Sequence, residues 1–252
     1  MTSLYLSLLL GLLLLIVPGY MIYVYDRLTW RQTVLAVVRM LVQLTAMGAL
    51  LWAVYHFDRV WLCLLWLLLL VVAASFLMVS RSRLRSGILY LPVAVAMFVS
   101  VLAVSLYIVY VVLGASFVAS WFVPVSGVLM AHVLATNIPA VSTYFDALRQ
   151  DSQPYLTLLG NGASRPKALA PYITRALRAL TVPAIANLSA MGLFVLPMLL
   201  SGLLLGGMEP LRAVCTFVVL MLGCMAASVL SLGLTLWLSD RRAFNRQGQL
   251  LI

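Results

Sequence analysis

A few polar side chains interrupt long apolar stretches of this 252-residue chain, and their types limit the chemistry available there. Arg39 and Gln43 are four residues apart, so they share one face of a helix. His132 and Asn137 interrupt a second stretch, and Asn187 interrupts a third. Ionisable and strongly polar side chains are costly inside a membrane and commonly mark the route of a solute or ion. We therefore predict that these five residues line a translocation pathway.

Each of these side chains also has a structural explanation. Arg39 is close enough to one end of its apolar stretch to extend its guanidinium group to the membrane interface. A neutral His132 can hydrogen-bond a neighbouring helix. Met191 can join His132 as a soft contact for a metal ion, or it can simply fill space. The three cysteines have no metal-like spacing, so the sequence predicts no firm metal site.

Residues for enzymatic chemistry are missing from the sequence. Lys167 is the only lysine, so there is no GxxxxGK[ST] loop and no nucleotide-hydrolysing site. There is no HExxH motif, and the six acidic residues lie near the ends of apolar stretches. Because proton-driven transport usually needs a buried carboxylate, uphill transport would draw its energy from another subunit. We predict a non-enzymatic chain with no catalytic residue and no cofactor of its own.

The elements that position these residues are membrane-spanning helices. Hydrophobic residues make up 65% of the chain and charged residues only 9%, against about 25% charged in soluble domains. A spanning helix needs about 20 apolar residues, and the apolar runs lack the period-two alternation of a β-barrel. The predicted fold is an all-α integral membrane protein, one polytopic domain over 1–252. Its seven predicted spans lie near 3–25, 33–55, 60–79, 88–113, 117–145, 183–207 and 211–238.

Basic residues are distributed unevenly between the predicted loops. If the N-terminus is outside, all the basic residues fall on the inner side except Arg59 and Arg212. The positive-inside rule then predicts an N-out, C-in orientation. Because topology accounts for the net charge of +10, we expect no nucleic-acid partner.

One long polar segment, residues 146–182, separates the fifth and sixth predicted spans on the cytoplasmic side. Pro154 can begin a short helix, which Gly160-Asn161-Gly162 ends because these residues tolerate positive φ. Ser164 can cap a second helix with an apolar stripe, in which Pro171 predicts a break. The segment is either a rigid element that docks a partner or a helix lying among lipid headgroups.

Several sequence pieces, in this order, resemble one family of membrane proteins. They include R-M-L-V-Q-L-T-A-M-G (39–48), P-V-S-G-V-L-M (124–130), G-A-S-R-P-K-A (162–168), G-L-F-V-L-P-M-L-L-S-G (192–202) and R-R-A-F-N-R-Q-G-Q-L (241–250). From about residue 39 to 250, the chain resembles the FetB/YbbM-like permeases of ATP-binding-cassette (ABC) transporters, which include plant aluminium-tolerance permeases. Bacterial members of that family are linked to iron export.

The resemblance implies a permease subunit of a bacterial inner membrane that works as a homodimer with a separate cytoplasmic ABC ATPase. ATP and Mg would be bound by the ATPase, and the substrate would be a small solute or a metal ion such as iron. The polar segment would then couple the two subunits, through Tyr155, Leu158, Gly160, Asn161, Gly162, Ala163, Ser164, Arg165 and Lys167. Two other functions stay open: an ATPase-independent transporter or channel, and a non-transporting membrane scaffold.

Overall fold

A computed structural model describes most of the chain. The residues described are 6, 10, 11, 13, 14, 16–57, 59–82, 89–114, 119–150, 152–191 and 198–243. Among them the regular structure is helical and contains no strand, which confirms the all-α prediction.

The described helices follow one another with short connections. They are α1 (Ile16–Tyr25), α2 (Arg27–Phe57), α3 (Val60–Arg81), α4 (Tyr90–Leu106), α5 (Ala119–Gln150), α6 (Ser152–Gly160), α7 (Arg165–Ala190), α8 (Met198–Leu205) and α9 (Pro210–Ala243). A π-helical segment, Tyr107–Val112, continues α4.

Five of these helical segments are long and apolar enough to cross a membrane. They are Thr29–Phe57, Val60–Arg81, Tyr90–Val112, Ala119–Gln150 and Pro210–Asp240, and they coincide with the second, third, fourth, fifth and seventh predicted spans. The first predicted span is only partly described, and the sixth passes through residues 192–197, outside the described residues. The chain is therefore a multi-pass membrane protein, while the count of seven and the N-out orientation stay predictions.

The chain divides into two compact units, Met1–His56 and Phe57–Ile252. In the first unit, Asp26 precedes α2 and caps it. Its carboxylate accepts hydrogen bonds from the backbone N–H of Thr29, at 3.2 Å, and from the hydroxyl of the same residue, which satisfies one of the free donors at a helix start. Tyr23 of α1 packs edge-on against Trp30 of α2, with ring centroids 6.0 Å apart.

In the second unit, α5 is the central helix and packs against α3, α4, α7 and α9. Pro124 and Pro139 lie within α5, yet the helix is continuous. The predicted break at Pro171 is wrong, because α7 continues through Pro171 and also through Pro183. A proline inside a helix costs about 3 kcal/mol. Burial of Leu169 and Tyr172 on either side of Pro171 offsets this cost by holding the helix against the core.

Helices α5 and α9 run in the same direction. The hydroxyl of Thr136 lies 3.0 Å from that of Ser228, and the hydroxyl of Tyr144 lies 2.8 Å from a carboxylate oxygen of Asp240. Residues later in α5 therefore meet residues later in α9. The chain between them must run back, and α7 begins this return, because its first residue, Arg165, contacts the far end of α9.

Candidate functional site

The polar segment after α5 folds as two helices, α6 and α7, joined by a tight turn. The N–H of Gly162 bonds the carbonyl of Leu159, and the N–H of Ala163 bonds the carbonyl of Leu158, both at 3.0 Å. This is the Schellman pattern, which needs a left-handed residue after the helix. Gly162 supplies it with a φ of 81°. The predicted glycine break is confirmed, and residues 160–162 are exposed.

Helix α7 begins directly after that turn. Ser164 occupies the N-cap position, and its carbonyl accepts the N–H of Ala168 at 3.1 Å. Its hydroxyl makes no capping hydrogen bond, so the predicted side-chain cap is wrong. A capping oxygen usually accepts from the second or third helical N–H, and Pro166, at the second position, has no N–H to give.

The first residue of α7 is held by the last membrane helix. Nη2 of Arg165 donates to the main-chain carbonyl of Asp240 at 2.7 Å. Asp240 lies near the end of α9, which the structure describes as far as Ala243, and carbonyls near the end of a helix commonly lack a partner within it. A cation there also complements the negative end of the helix dipole. Arg165 therefore stabilises the end of α9 while it fixes the start of α7.

The carboxylate of Asp240 joins a third helix to the same point. The hydroxyl of Tyr144, on α5, donates to its Oδ1 at 2.8 Å, and Tyr144 is completely buried. Hydrogen bonds to an ionised acceptor are roughly twice as strong as those between neutral groups. Through one residue, Asp240, the adjoining ends of α5, α7 and α9 are connected.

Tyr155 brings α6 into this group of side chains. Its side chain is only 4% exposed, and its ring packs edge-on against Tyr172 of α7 with centroids 6.4 Å apart. Burial raises the pKa of the Tyr155 hydroxyl, and Arg165 opposes part of that shift, so the phenol stays protonated at physiological pH. We call the five side chains that meet here the anchor cluster: Tyr144, Tyr155, Arg165, Tyr172 and Asp240.

Outside the anchor cluster, α6 and the start of α7 present an exposed surface. Leu156 is 40% exposed and Leu158 is 38% exposed. Asn161 in the turn and Lys167 in the first turn of α7 are also exposed. The predicted coupling residues therefore divide into two groups. Tyr155 and Arg165 support the segment from inside, whereas Leu158, the turn and Lys167 are available to a partner, as is Leu156, which was not predicted.

A cleft of about 320 Å³ separates α7 from α9 beside the Arg165 contact. Its walls are mostly apolar, and Arg165 and Asp240 both line it. The other main lining side chains are Leu169, Ile173, Leu236 and Trp237. The two helices are therefore joined at this level by the polar contact, with open space next to it.

Asn137 is the most buried of the predicted pathway residues. Its side chain has no exposed surface, and neither amide atom has a hydrogen-bond partner among the described residues. Its neighbour Thr136 bonds Ser228 of α9, so polar groups of two membrane helices meet beside it. A buried polar group without a partner costs about 1–3 kcal/mol. A water molecule or a polar solute bound at this amide would remove that cost.

The other predicted pathway residues occupy different surroundings. His132 is half-buried on α5. Because it lies five positions before Asn137, the two side chains point about 140° apart around the helix. Asn187 and Met191 are exposed at the end of α7. Arg39 and Gln43 belong to the first unit, where they are exposed on α2.

Among the residues that the structure describes, acidic, histidine and cysteine side chains do not converge on a point that suits a metal ion. In the described part of the chain, no group of three or more His, Cys, Asp or Glu residues could hold one. His132 and Met191 stay candidate contacts for a transported metal, each on its own helix.

Three members of the anchor cluster, Tyr144, Tyr172 and Asp240, are absent from the sequence-predicted site. Asp240 looks like an ordinary acidic residue at the end of a span, and nothing in the sequence pairs it with α5 or α7. One signal was available. A carboxylate in the last turn of a helix faces the negative end of the helix dipole, which is unfavourable, so an aspartate in that position indicates a compensating partner.

Comparisons with known proteins support a membrane transport role. The family model UPF0014, described as an uncharacterised protein family, matches residues 5–244. The chain is 27% identical over 217 residues to the UPF0014 membrane protein slr1647 of Synechocystis sp., covering 85% of this chain and 83% of that protein. It is 24% identical over 250 residues to the probable iron export permease protein FetB of Escherichia coli, covering 95% and 92%. A shorter match, 28% over 115 residues, relates it to the UPF0014 membrane protein STAR2 of Oryza sativa, covering 46% and 40%. No solved structure matches significantly.

Proposed function

The chain belongs to the UPF0014 family of membrane proteins, and from this premise we propose that it is the permease subunit of an ABC transporter. A separate cytoplasmic ATPase would bind ATP and Mg and supply the energy. Two permease copies would pair with two ATPase copies in a bacterial inner membrane. Each copy would act as one polytopic domain whose α6–α7 segment faces the cytoplasm.

One observation carries this proposal: the α6–α7 segment is exposed on its outer surface and fixed on its inner one. The Schellman turn at Gly162 sets the angle between the two helices, and the anchor cluster ties them to α5 and α9. A docking element must be rigid in this way, because a flexible loop would absorb the movement of its partner. The exposed leucines and Lys167 supply an apolar surface with a positive rim for the ATPase.

The substrate proposed is a metal ion such as iron, moved outward. The similarity to a probable iron export permease over nearly the whole chain supports this choice. Asn137 offers an amide oxygen in the bundle, and His132 offers an imidazole on the same helix. Both are transient contacts suited to a transported ion, which must bind and then leave. ATP-driven movement of the α6–α7 segment would open this region to one side of the membrane at a time.

The experiment that tests the proposal uses the single lysine of the chain. A lysine-specific protease can cut the folded permease only after Lys167, in the proposed docking surface. We expect the cognate ATPase to co-purify with the permease and to slow this cleavage several-fold. Lys167→Arg, which keeps the charge and removes the cleavage site, is the control that locates the cut.

A loop-replacement variant tests whether the α6–α7 turn carries the docking. Replacement of residues 160–167 by a Gly/Ser linker of equal length should abolish ATPase binding and ATP-dependent metal movement in proteoliposomes. ATPase binding that survives this replacement would show that the coupling surface lies elsewhere. Metal flux through the purified permease without any ATPase would favour a channel instead.

A further inference from the structure

Asp240 uses both its main chain and its side chain to connect other helices. Its carbonyl accepts the guanidinium group of Arg165, at the start of α7, and its carboxylate accepts the hydroxyl of Tyr144, on α5. Three helices of the second unit therefore meet at one residue, which lies at the base of the α6–α7 segment.

The stability of α9 alone does not explain an aspartate at this position. The last turn of a helix favours a cation and disfavours a carboxylate, and Asp240 is partly buried as well. Among the side chains that the structure describes, Tyr144 donates to this carboxylate and the guanidinium group of Arg165 lies close to it, and both offset the unfavourable charge. An aspartate at this position is therefore better explained by the contacts that it makes with α5 and α7.

The hydrogen bond between Arg165 and Asp240 joins α7 and α9 at a level where the two helices are not closely packed. The cleft of about 320 Å³ lies between α7 and α9 next to Arg165 and Asp240, so apolar side chains do not fill the space between the two helices there. The direct route from the start of α7 to α9 is therefore the bond between Arg165 and Asp240, beside the indirect route through α5, which packs against both helices.

We propose that Asp240 is a positioning residue that connects the docking segment α6–α7 to the last membrane helix. Movement imposed on the segment passes through Arg165 to Asp240, and so to α9 and, through Tyr144, to α5. The transport part of this inference rests on the proposed function. The structural part, that Asp240 keeps the start of α7 closed, can be tested on the permease alone.

The structural part is tested by the rate of cleavage after Lys167, two residues beyond Arg165. When opening is fast compared with cleavage, the rate follows the population of the locally open state. Loss of one hydrogen bond to a charged group corresponds to roughly a tenfold or greater increase in that population. The bond to α7 is made to the main-chain carbonyl of Asp240, which remains in every Asp240 variant, so we expect this increase for Arg165→Met, which removes the donor. Asp240→Ala and Tyr144→Phe remove the bond that holds this part of α9 against α5, and we expect a several-fold increase for each. Asp240→Asn keeps an oxygen for Tyr144 and should give a smaller increase.

Ser239→Ala is the matched control. Ser239 is also buried in the last turns of α9, and its hydroxyl has no hydrogen-bond partner among the described residues, so its loss should leave the cleavage rate unchanged. Equal cleavage rates in Asp240→Ala, Tyr144→Phe and Ser239→Ala would overturn the proposal. Tyr144→Phe preserves the shape of the core and provides the answer if Asp240→Ala does not fold.

The transport part is tested with the assembled transporter. Because the docking surface is untouched, Asp240→Asn should bind the ATPase as the wild type does and retain ATP hydrolysis, while the metal moved per ATP falls several-fold. A parallel fall in binding, hydrolysis and transport would indicate a merely structural role and refute the coupling. Failure of the wild-type permease to bind any ATPase would instead refute the proposed function, and the cleavage results would still decide whether Asp240 anchors α7.

Discussion

The turn between α6 and α7 depends on Gly162. Substitution of this residue measures how much its left-handed conformation contributes to the stability of the turn. With φ at 81°, Gly162 lies in the left-handed region, which costs a residue with a Cβ about 1–2 kcal/mol. A Cβ added at this position would meet nothing within 4 Å, so no clash adds to this cost. Alanine also restricts the unfolded chain, which returns about 0.4–1 kcal/mol. Gly162→Ala should therefore destabilise the turn by about 1 kcal/mol.

Gly160 provides a control two residues away. It is the last residue of α6, its φ is not positive, and a Cβ there would also meet nothing within 4 Å. Alanine in a helix is more favourable than glycine by roughly 0.5–1 kcal/mol. The two Gly→Ala substitutions should therefore change the stability of this turn in opposite directions. Gly162→Asn should fall between Gly162→Ala and the wild type, because asparagine visits the left-handed region more readily.

The assay is cleavage by a lysine-specific protease after Lys167, together with hydrogen exchange of the Gly162 and Ala163 amides that close the turn. A loss of about 1 kcal/mol corresponds to roughly a fivefold increase in the open population. We expect that increase for Gly162→Ala and an unchanged or slower rate for Gly160→Ala. If Gly162→Ala were cut no faster than Gly160→Ala, the left-handed turn would not be what holds the segment closed.

Three further substitutions test other parts of the structure. Gly223→Ala would place a Cβ 2.5 Å from Cδ1 of the buried Ile108, whereas a Cβ added by Gly233→Ala on the same helix meets open space. In thermal unfolding, Gly223→Ala should therefore be less stable than Gly233→Ala by about 1–3 kcal/mol. Asn137→Leu removes a buried amide without a partner among the described residues, so it should raise the free energy of unfolding by about 1–3 kcal/mol. Metal transport in proteoliposomes should fall, and unchanged transport would remove Asn137 from the pathway. Asp26→Ala should cost about 1 kcal/mol of capping energy, seen as faster hydrogen exchange confined to the first turn of α2.

Much of the fold can be predicted from the sequence because its signals are local. Long apolar runs identify helices such as α3 without knowledge of their neighbours. The glycines in the 160–162 turn are likewise a local signal, since the turn depends on the backbone conformation of these residues alone. The break predicted at Pro171 is wrong because the cost of a proline is local, while its compensation, the packing of α7 against α5, is tertiary. The role of Asp240 escapes prediction for the same reason, since its partners are distant in sequence.

The sequence predicts some parts of the candidate site and not others. The α6–α7 segment stands out in the sequence because its polarity contrasts with everything around it. The side chains that fix it cannot be inferred, since Tyr144 looks like any aromatic residue at the end of a span. The predicted pathway residues rest on polarity alone, and polarity does not distinguish the fully buried Asn137 from the exposed Asn187.

The two hydrogen bonds between α5 and α9 have a consequence for how such a bundle can open. Thr136 and Tyr144 are about 12 Å apart along α5, and each bonds a different level of α9. Two attachments on one pair of helices fix both their offset and their rotation, because a slide of one helical turn, about 5.4 Å, would break both bonds at once. These two bonds therefore favour one relative position of α5 and α9. The boundary between α7 and α9 differs, because one hydrogen bond from Arg165 crosses it beside the open cleft, so relative movement of helices is less costly there than between α5 and α9.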